Sequence, residues 1–304
     1  ADGSKYQYNR LSYFSRINYS YKDRYLAQAT VRYDGSSKFG KDTRWGAFPS
    51  VALGWKIDKE DFFPEDFLVS KLKLRASWGQ LGNEAALGYY ASSSLIHSGN
   101  SLNSGYVQGT GSNPWPGSIA TTLENRKLQW ETTDSKNIGI DYVLKNGKIS
   151  GSMNYYHNIT DNLLITKKLA PSAGIDDPIL NVGKVSNSGF EFEINYADQV
   201  NDFKYNVGLN FSTLHNNVES LANADQAIYG EGLKYGDEHF PTQARVGTPI
   251  SAFYLYRTDG IFQSMAEVDS YTNNGTLIQP NSKPGDVKFK DLNNDGQIDE
   301  SDKE

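Results

Sequence analysis

The sequence from Leu11 to Tyr21 reads LSYFSRINYSY, and its side chains alternate in character with a period of two. The odd positions carry mostly apolar and aromatic side chains, whereas the even positions carry mostly polar ones. Because successive side chains of a β-strand point to opposite faces, this alternation predicts a strand with one apolar face and one polar face. Its length of about ten residues is also the length that a tilted strand needs to cross a bilayer.

The same alternation recurs along the chain in segments of similar length. These segments are residues 25–33, 51–57, 72–78, 138–144, 149–155, 190–196 and 203–211. Two of them are joined by Asn146-Gly147, a pair that is favoured in the type I′ turns of hairpins. The pattern predicts an all-β fold, namely an antiparallel transmembrane β-barrel portion of about eight strands in four hairpins.

The connections between these segments alternate in length. Those after Tyr21, Leu144 and Tyr196 are short, whereas those after Tyr33 and Tyr155 are long. Outer-membrane barrels have short periplasmic turns and long extracellular loops, so the long connections are predicted to face the outside of the cell. The predicted extracellular segments are residues 80–134, 160–186 and 214–304.

The composition agrees with a barrel and disfavours several other classes. Hydrophobic residues make up 38% of the chain, and no run approaches the roughly 18 apolar residues of a membrane helix. The net charge of -6, with Lys and Arg dispersed, predicts no nucleic-acid partner, and the absence of cysteine excludes thiol chemistry. The alternative is a large soluble β-sandwich, but its strands are usually shorter and its aromatic side chains face inward.

The segment 291–302, here named the calcium-type loop, reads DLNNDGQIDESD and is close to the twelve-residue calcium-binding pattern. Ca²⁺ prefers about six to eight oxygen ligands, which alternate positions of such a loop supply around a glycine turn. The predicted ligands are Asp291, Asn293, Asp295, the carbonyl of Gln297, Asp299 and Asp302. No helix is predicted to lead into the loop, so we expect a structural ion and not a sensor. The alternative is a solvated acidic turn.

Other candidate chemistry is sparse, and the chain is therefore not expected to be an enzyme. The histidines show no metal-binding spacing, and Glu191 and Glu193 share a strand face in a way that is typical of a hydrated wall. Five aromatic residues in the predicted loop 80–134 either contact a substrate or pack the loop, and both interpretations stay open. These residues are Trp115, Trp130, Tyr89, Tyr90 and Tyr106.

Several blocks of sequence, taken together, resemble a known family. Residues 34–40 read DGSSKFG, residues 44–55 read RWGAFPSVALGW, residues 128–133 read LQWETT, and residues 260–264 read GIFQS. In this order, and over most of the chain, they resemble the barrel of SusC/RagA-type TonB-dependent transporters. Barrels of that family have about 22 strands around a plug. The resemblance therefore implies that the chain is an incomplete, C-terminal part of such a barrel.

The resemblance also implies a function. It implies TonB-dependent import of a nutrient, either an oligosaccharide or a peptide, across the bacterial outer membrane, with no chemistry on the cargo. The implied partners are a SusD-like surface lipoprotein, which acts as a lid, the TonB complex and the outer-membrane lipid. Residues 1–304 would then be barrel, with 214–304 an extracellular loop that contains the calcium-type loop. The alternative is a soluble carbohydrate-binding β-protein with a dockerin-like calcium repeat, which membrane fractionation would distinguish.

Overall fold

The computed structural model of the protein describes residues 5–64, 68–99, 117–167, 169–221, 227–230, 233–235, 237–239 and 241–304. Within them the chain divides into two units, Ala1–Asn223 and Ala224–Glu304, each of which is described by itself. No helix among the described residues is long and apolar enough to cross a membrane.

Antiparallel strands make up most of the first unit. They are β1 (Arg10–Tyr21), β2 (Tyr25–Ser36), β3 (Trp45–Lys56), β4 (Val69–Asn83), β5 (Ile96–Gly99), β6 (Gly117–Ala120), β7 (Glu131–Leu144), β8 (Ile149–Asp161), β9 (Leu164–Thr166), β10 (Ile179–Asn181), β11 (Lys184–Val200), β12 (Phe203–Ser212) and β13 (His215–Ser220). Short 3-10 turns lie at Ile57–Lys59, Lys145–Gly147 and Pro171–Ala173.

One large sheet contains the strands that the alternating segments predict. Its order is β1-β2-β3-β4-β7-β8-β11-β12, and every pairing is antiparallel. β5 pairs with β6 and β9 pairs with β10 in two small separate sheets. The predicted all-β, antiparallel fold class is confirmed, and its connections are alternately short and long. The short connections, such as those after Tyr21 and Leu144, lie at one end of the strands, which we call the short-turn end. The long connections, such as those after Ser36 and Asp161, lie at the other end, which we call the long-loop end.

Two boundaries differ from the sequence-based expectation. β13 continues the sheet after a break at 213–214, because it pairs with the first part of the 17-residue strand β11 while β12 pairs with the rest. The segment expected to be loop from 214 therefore begins with a strand, and the second unit starts only at 224. The hairpin between β7 and β8 is present, but its turn is a four-residue connection with a 3-10 turn, in which Lys145 has a positive φ, and not a two-residue type I′ turn.

The register gives the sheet two chemically different faces. The apolar face carries a row that runs across eight strands through Tyr21, Tyr25, Trp55, Leu74, Ile140, Met153, Phe192 and Phe211. The adjacent row on the polar face runs through Lys56, Lys73, Asp141, Ser152, Glu193 and Asn210. Since the rows match across so many strands, the alternation of each strand is in phase with that of its neighbours.

The second unit consists of short elements. They are β14 (Ile228–Tyr229), β15 (Leu233–Tyr235), β16 (Asp237–His239), β17 (Thr242–Ala244), β18 (Ala252–Phe253), β19 (Thr258–Ile261), α1 (Met265–Ser270), β20 (Thr272–Asn273), β21 (Thr276–Leu277), β22 (Val287–Phe289) and a 3-10 turn at Glu300–Asp302. Ser264 caps α1 by accepting a hydrogen bond from the amide of Glu267. Phe262 and Val268 are its largest buried apolar side chains.

Candidate functional sites

A buried cluster lies at the long-loop end of the large sheet. We call it the loop-end core, and it consists of Phe39, Phe48, Leu87, Leu128 and Trp130. The centroid of the Trp130 ring is 4.8 Å from that of the Phe39 ring and 5.5 Å from that of the Phe48 ring, which it meets edge-on. Trp130 also donates its indole N–H to the carbonyl of Arg44 at 3.2 Å. The core therefore fastens the loops that flank β3 and β7 to each other.

The loop-end core lies on the polar face of the sheet, where the alternation predicts no large apolar side chain. Phe48 lies eight residues before Lys56 on β3, and because side chains alternate, both are on the polar face. Its ring lies so close to the backbone of Gly82 that a Cβ there would be 2.0 Å from Phe48 Cζ. A glycine at this position is therefore required for Phe48 to pack. The apolar exception at Phe48 was the signal by which the sequence could have revealed this core.

Three of the four blocks that carry the family resemblance meet at the loop-end core. Phe39 belongs to the first block, Phe48 to the second, and Leu128 and Trp130 to the third. The hydroxyl of Thr43 further links the region to the third block by donating to the carbonyl of Leu128 at 2.6 Å. Residues of these blocks therefore pack against one another at the long-loop end of the sheet.

A charged network crosses three strands of the polar face. The Arg75 guanidinium donates to both carboxylate oxygens of Asp141, at 2.8 and 2.7 Å, and to Asn154 Oδ1 at 2.9 Å. To reach Asn154 it passes over Gly139, where a Cβ would be 3.0 Å from Arg75 Nη2. Lys73 adds a more distant contact to Asp141 at 3.9 Å. Away from the loop-end core, this face of the sheet is a charged, hydrogen-bonded wall.

The aromatic residues proposed for substrate contact lie in different environments. Trp130 is only 4% exposed and packs in the loop-end core, so packing is the role in which the structure shows it. Tyr89 and Tyr90 are 49% and 40% exposed near the long-loop end. Trp115 and Tyr106 lie outside the described residues.

The calcium-type loop is folded around hydrogen bonds from its backbone amides to its own side chains. The Asp291 carboxylate accepts from the amides of Asp295 at 3.2 Å and Gly296 at 2.8 Å. Asn293 Oδ1 accepts from the Asp295 amide, and Asp295 Oδ1 accepts from the Gln297 amide, both at 2.9 Å. Three of the predicted side-chain ligands therefore turn their oxygens toward the inside of the same turn.

The end of the calcium-type loop is closed by Asp302, whose side chain is fully buried. Its two oxygens accept from the amides of Leu292 at 2.8 Å and Asp299 at 2.9 Å. The hydroxyl and amide of Ser301 both donate to Asp299, and these bonds hold the pKa of that carboxyl below its usual range. Among the described residues, no three Asp, Glu or His side chains converge as a metal cluster.

The residues after the calcium-type loop are bound to the segment between β18 and β19. Leu255 and Glu304 exchange backbone hydrogen bonds at 3.2 and 3.1 Å. The Lys303 ammonium lies over the rings of Tyr254 and Tyr256, 5.6 and 5.0 Å from their centroids. Burial raises the pKa of both tyrosines above its ordinary value. These contacts fix one end of the loop within the second unit.

Comparisons with known proteins agree with the sheet and its motifs. The sequence profile of the family described as TonB dependent receptor-like, beta-barrel matches residues 1–288. TonB-dependent receptor SusC of Bacteroides thetaiotaomicron is 34% identical over 299 residues, which cover 96% of this chain and 28% of that protein. TonB-dependent receptor P26 of Formosa agariphila is 31% identical over 294 residues, which cover 94% of this chain and 28% of that protein.

Solved structures give the same result for the fold. The structure of the RagAB peptide transporter is similar with a TM-score of 0.71 and 25% identity, covering 84% of this chain and 26% of that chain. The RagAB peptide importer in its closed-closed state gives a TM-score of 0.74 at 24% identity, covering 97% of this chain and 30% of that chain.

The exposed apolar face, the charged wall behind it and the profile match define the class: the chain belongs to the TonB dependent receptor-like β-barrel family. Within that family it is of the SusC/RagA type, as the relatives and the RagAB structures indicate. Its strands are therefore those of an outer-membrane β-barrel. The chain spans about 28% of the length of the curated relatives that it matches.

Proposed function

We propose that the protein containing this chain imports a nutrient, an oligosaccharide or a peptide, across the bacterial outer membrane in a TonB-dependent manner. The observation that carries the proposal is the two-faced sheet, in which an exposed apolar row backs directly onto a row of charged and polar side chains. Such a sheet suits a wall with lipid on one side and water on the other. A soluble carbohydrate-binding protein would have no medium in which to place the apolar row.

Two partners follow from the family. The TonB complex would supply energy, and a SusD-like surface lipoprotein would cover the long-loop end, which we place outside the cell. The named relatives support this proposal, since one is a SusC receptor and others are RagAB peptide importers. The RagAB structures are described as peptide transporters, whereas the name of the SusC receptor states no cargo, so the proposal keeps both cargo classes. Of the predicted aromatic residues that the structure describes, Tyr89 and Tyr90 have the exposure that cargo contact requires.

The test is uptake by cells that carry the whole protein. Labelled oligosaccharides and oligopeptides are offered to the wild type, to a deletion strain and to a strain without TonB. We expect uptake of one cargo class to require both the protein and TonB, and the protein to be recovered in the outer-membrane fraction with a lipoprotein. Unchanged uptake in the deletion strain with every cargo of both classes, or recovery in the soluble fraction, contradicts the proposal.

We also propose that the calcium-type loop binds Ca²⁺ as a structural ion. The donor set supports this proposal, because the side chains of Asp291, Asn293, Asp295, Asp299 and Asp302 all carry the hard oxygen ligands that Ca²⁺ prefers. The first three already face one turn. An ion would satisfy lone pairs that the backbone amides leave free, and it would offset the repulsion among the carboxylates.

Calcium binding is tested by isothermal titration of the intact protein, with hydrogen exchange as the second readout. Chelation is expected to speed exchange of the amides at 284–304 while the strands of the large sheet stay protected. Asp295→Ala should abolish the titration signal, whereas Asp269→Ala, outside the loop on α1, should not. If chelation leaves exchange at 284–304 unchanged, the ion is not a structural staple.

A further inference from the structure

A short segment before β1 lies against the loop that follows β4 at the long-loop end. We call residues 5–9 the strap. The Tyr6 ring stacks on the Tyr89 ring with centroids 5.1 Å apart and planes 21° apart. The amide of Gln7 donates to the Tyr90 hydroxyl at 3.1 Å. The strap thus covers two of the exposed aromatic side chains of this end.

The strap also covers a buried carboxylate. The Tyr8 hydroxyl donates to Glu84 Oε1 at 2.6 Å, and the Lys38 ammonium lies 5.6 Å from the centre of the Tyr8 ring. Glu84 is only 7% exposed, and its Oε2 has no hydrogen-bond partner within the described part of the chain. A buried carboxylate oxygen without a partner is costly, because it has lost its water without receiving a replacement. Lifting the strap would remove the Tyr8 hydroxyl from this carboxylate and open the carboxylate to water.

The strap is held much less firmly than the strand that follows it. Two hydrogen bonds hold its end at Asn9. The Asn9 amide donates to the Ser37 hydroxyl, and the Ser37 amide donates to the Asn9 carbonyl, both at 3.0 Å. From Arg10 onward, every residue of β1 pairs with a residue of β2. The continuous ladder therefore begins at Arg10, and residues 5–8 are held by contacts that involve side chains.

The receiving loop is itself strained where it meets the strap. Tyr90 has a φ of +59°, in the left-handed region that a bulky residue seldom adopts. Such a conformation costs on the order of 1–3 kcal/mol and persists only where surrounding contacts maintain it. The bond from the Gln7 amide to the Tyr90 hydroxyl is a contact of this kind.

We propose that residues 5–9 form a releasable strap that detaches from the loop after β4 while β1 stays paired, and that its opening uncovers Glu84 and further exposes Tyr89 and Tyr90. Opening hydrates the unpartnered oxygen of Glu84 and lets Tyr90 relax, and these gains offset the loss of the ring stack and a few hydrogen bonds. The strap therefore opens and closes while β1 stays paired. This conformational equilibrium does not depend on which cargo the barrel carries, so its failure is distinct from failure of the proposed transport.

The experiment is hydrogen exchange on the intact protein in detergent, with peptides that resolve the strap from β1. We expect the strap amides of Gln7 and Asn9 to exchange at least about 10-fold faster than the amides of β1, after correction for intrinsic rates. Tyr8→Phe removes the bond to Glu84 and should speed strap exchange about 10-fold further. The matched control Tyr13→Phe, on the apolar face of β1, should leave the strap unchanged.

A double variant separates the role of the carboxylate from general damage. Tyr8→Phe combined with Glu84→Leu replaces the polar pair by an apolar one and removes the unpartnered oxygen, so it should bring strap exchange back to the wild-type rate or below. The proposal is overturned if the strap amides are as protected as those of β1, if Tyr8→Phe has no effect, or if the double variant exchanges as fast as Tyr8→Phe alone.

Discussion

The two units of the chain differ in where their apolar side chains lie. In the large sheet, Ile17 and Phe211 are 68% and 61% exposed, whereas in the second unit Phe262 and Val268 are 1% and 2% exposed. The sheet is defined by backbone register and needs an apolar medium on one face. The second unit buries Phe262 and Val268, although Phe253 and Ile261 stay 76% and 51% exposed, and it is held by bonds between side chains and backbone. The same substitution should therefore act differently in the two units.

The loop-end core is the part of the sheet unit that most resembles the interior of the second unit, and it should give the largest effect. Trp130→Ala removes the ring that contacts both Phe39 and Phe48, and such a deletion from a core costs about 3–5 kcal/mol. Urea unfolding of the intact protein in lipid vesicles measures the loss. Trp45→Ala, on the exposed apolar face, is the matched control and should cost clearly less; equal losses would remove the distinction between this core and the lipid-facing row.

The next effect tests the medium around the sheet. Leu53 is 56% exposed on the apolar face, and Ala52 is its neighbour on the polar face. Leu53→Arg should destabilise the protein in vesicles by about 2–4 kcal/mol, as a charge does near the midplane of a bilayer. Ala52→Arg should cost far less, because its charge faces the hydrated wall. The assignment of the two faces would be wrong if the order of these effects were reversed.

A smaller and more local effect is expected in the second unit. Asp302→Asn replaces one of the two oxygens that accept from Leu292 and Asp299, and a hydrogen bond to a charged group contributes about 1.5–3 kcal/mol. Exchange of the amides at 291–302 should increase. The sheet amides should not change, because the substitution lies within the second unit. Asp269→Asn on α1 is the control, and faster exchange in β1–β4 would show that the units are not independent.

The smallest effect concerns the strap and depends on pH. Burial and the hydrogen bond to Glu84 raise the pKa of Tyr8 above its usual value of about 10. A raised pKa means that the closed strap favours the protonated hydroxyl, so this contribution is complete below pH 10 and is lost as the pH rises through the higher pKa of the closed state. Spin labels are attached at Lys5→Cys and Gly88→Cys, and residues 1–304 contain no other cysteine that would compete for the label.

The distance between the two labels should lengthen above pH 10 in the wild-type background. With Tyr8→Phe the labels should show no such step, since the titrating hydroxyl is gone. A step of the same size in both backgrounds would assign the change to another group.

The strands could be predicted from sequence because a period of two is a local signal. The register of β1 on β2 follows from the short turn after Tyr21 and from the alternation of both strands. The calcium-type loop was also visible as a pattern, since its internal bonds join residues a few positions apart. The exact turn between β7 and β8 was missed, because Asn-Gly is compatible with more than one connection.

The loop-end core and the strap could not be derived in the same way. Arg44 and Trp130, which are joined by a hydrogen bond, are 86 residues apart in sequence, and Gln7 and Tyr90 are 83 apart. No periodic pattern connects such residues, because the contact exists only after the sheet has formed. The family resemblance marked the core residues as a group but did not reveal that they pack together on the polar face.

Gly139 shows how an uncharged position controls the electrostatics of the wall. The guanidinium of Arg75 can span three strands only because nothing projects from Gly139, where a Cβ would lie 2.4 Å from Asn154 Oδ1. Adding a single methyl group would remove no ionisable residue and would still shift the Arg75 guanidinium away from Asn154. The distribution of charge along this wall therefore depends partly on a residue that carries no charge itself.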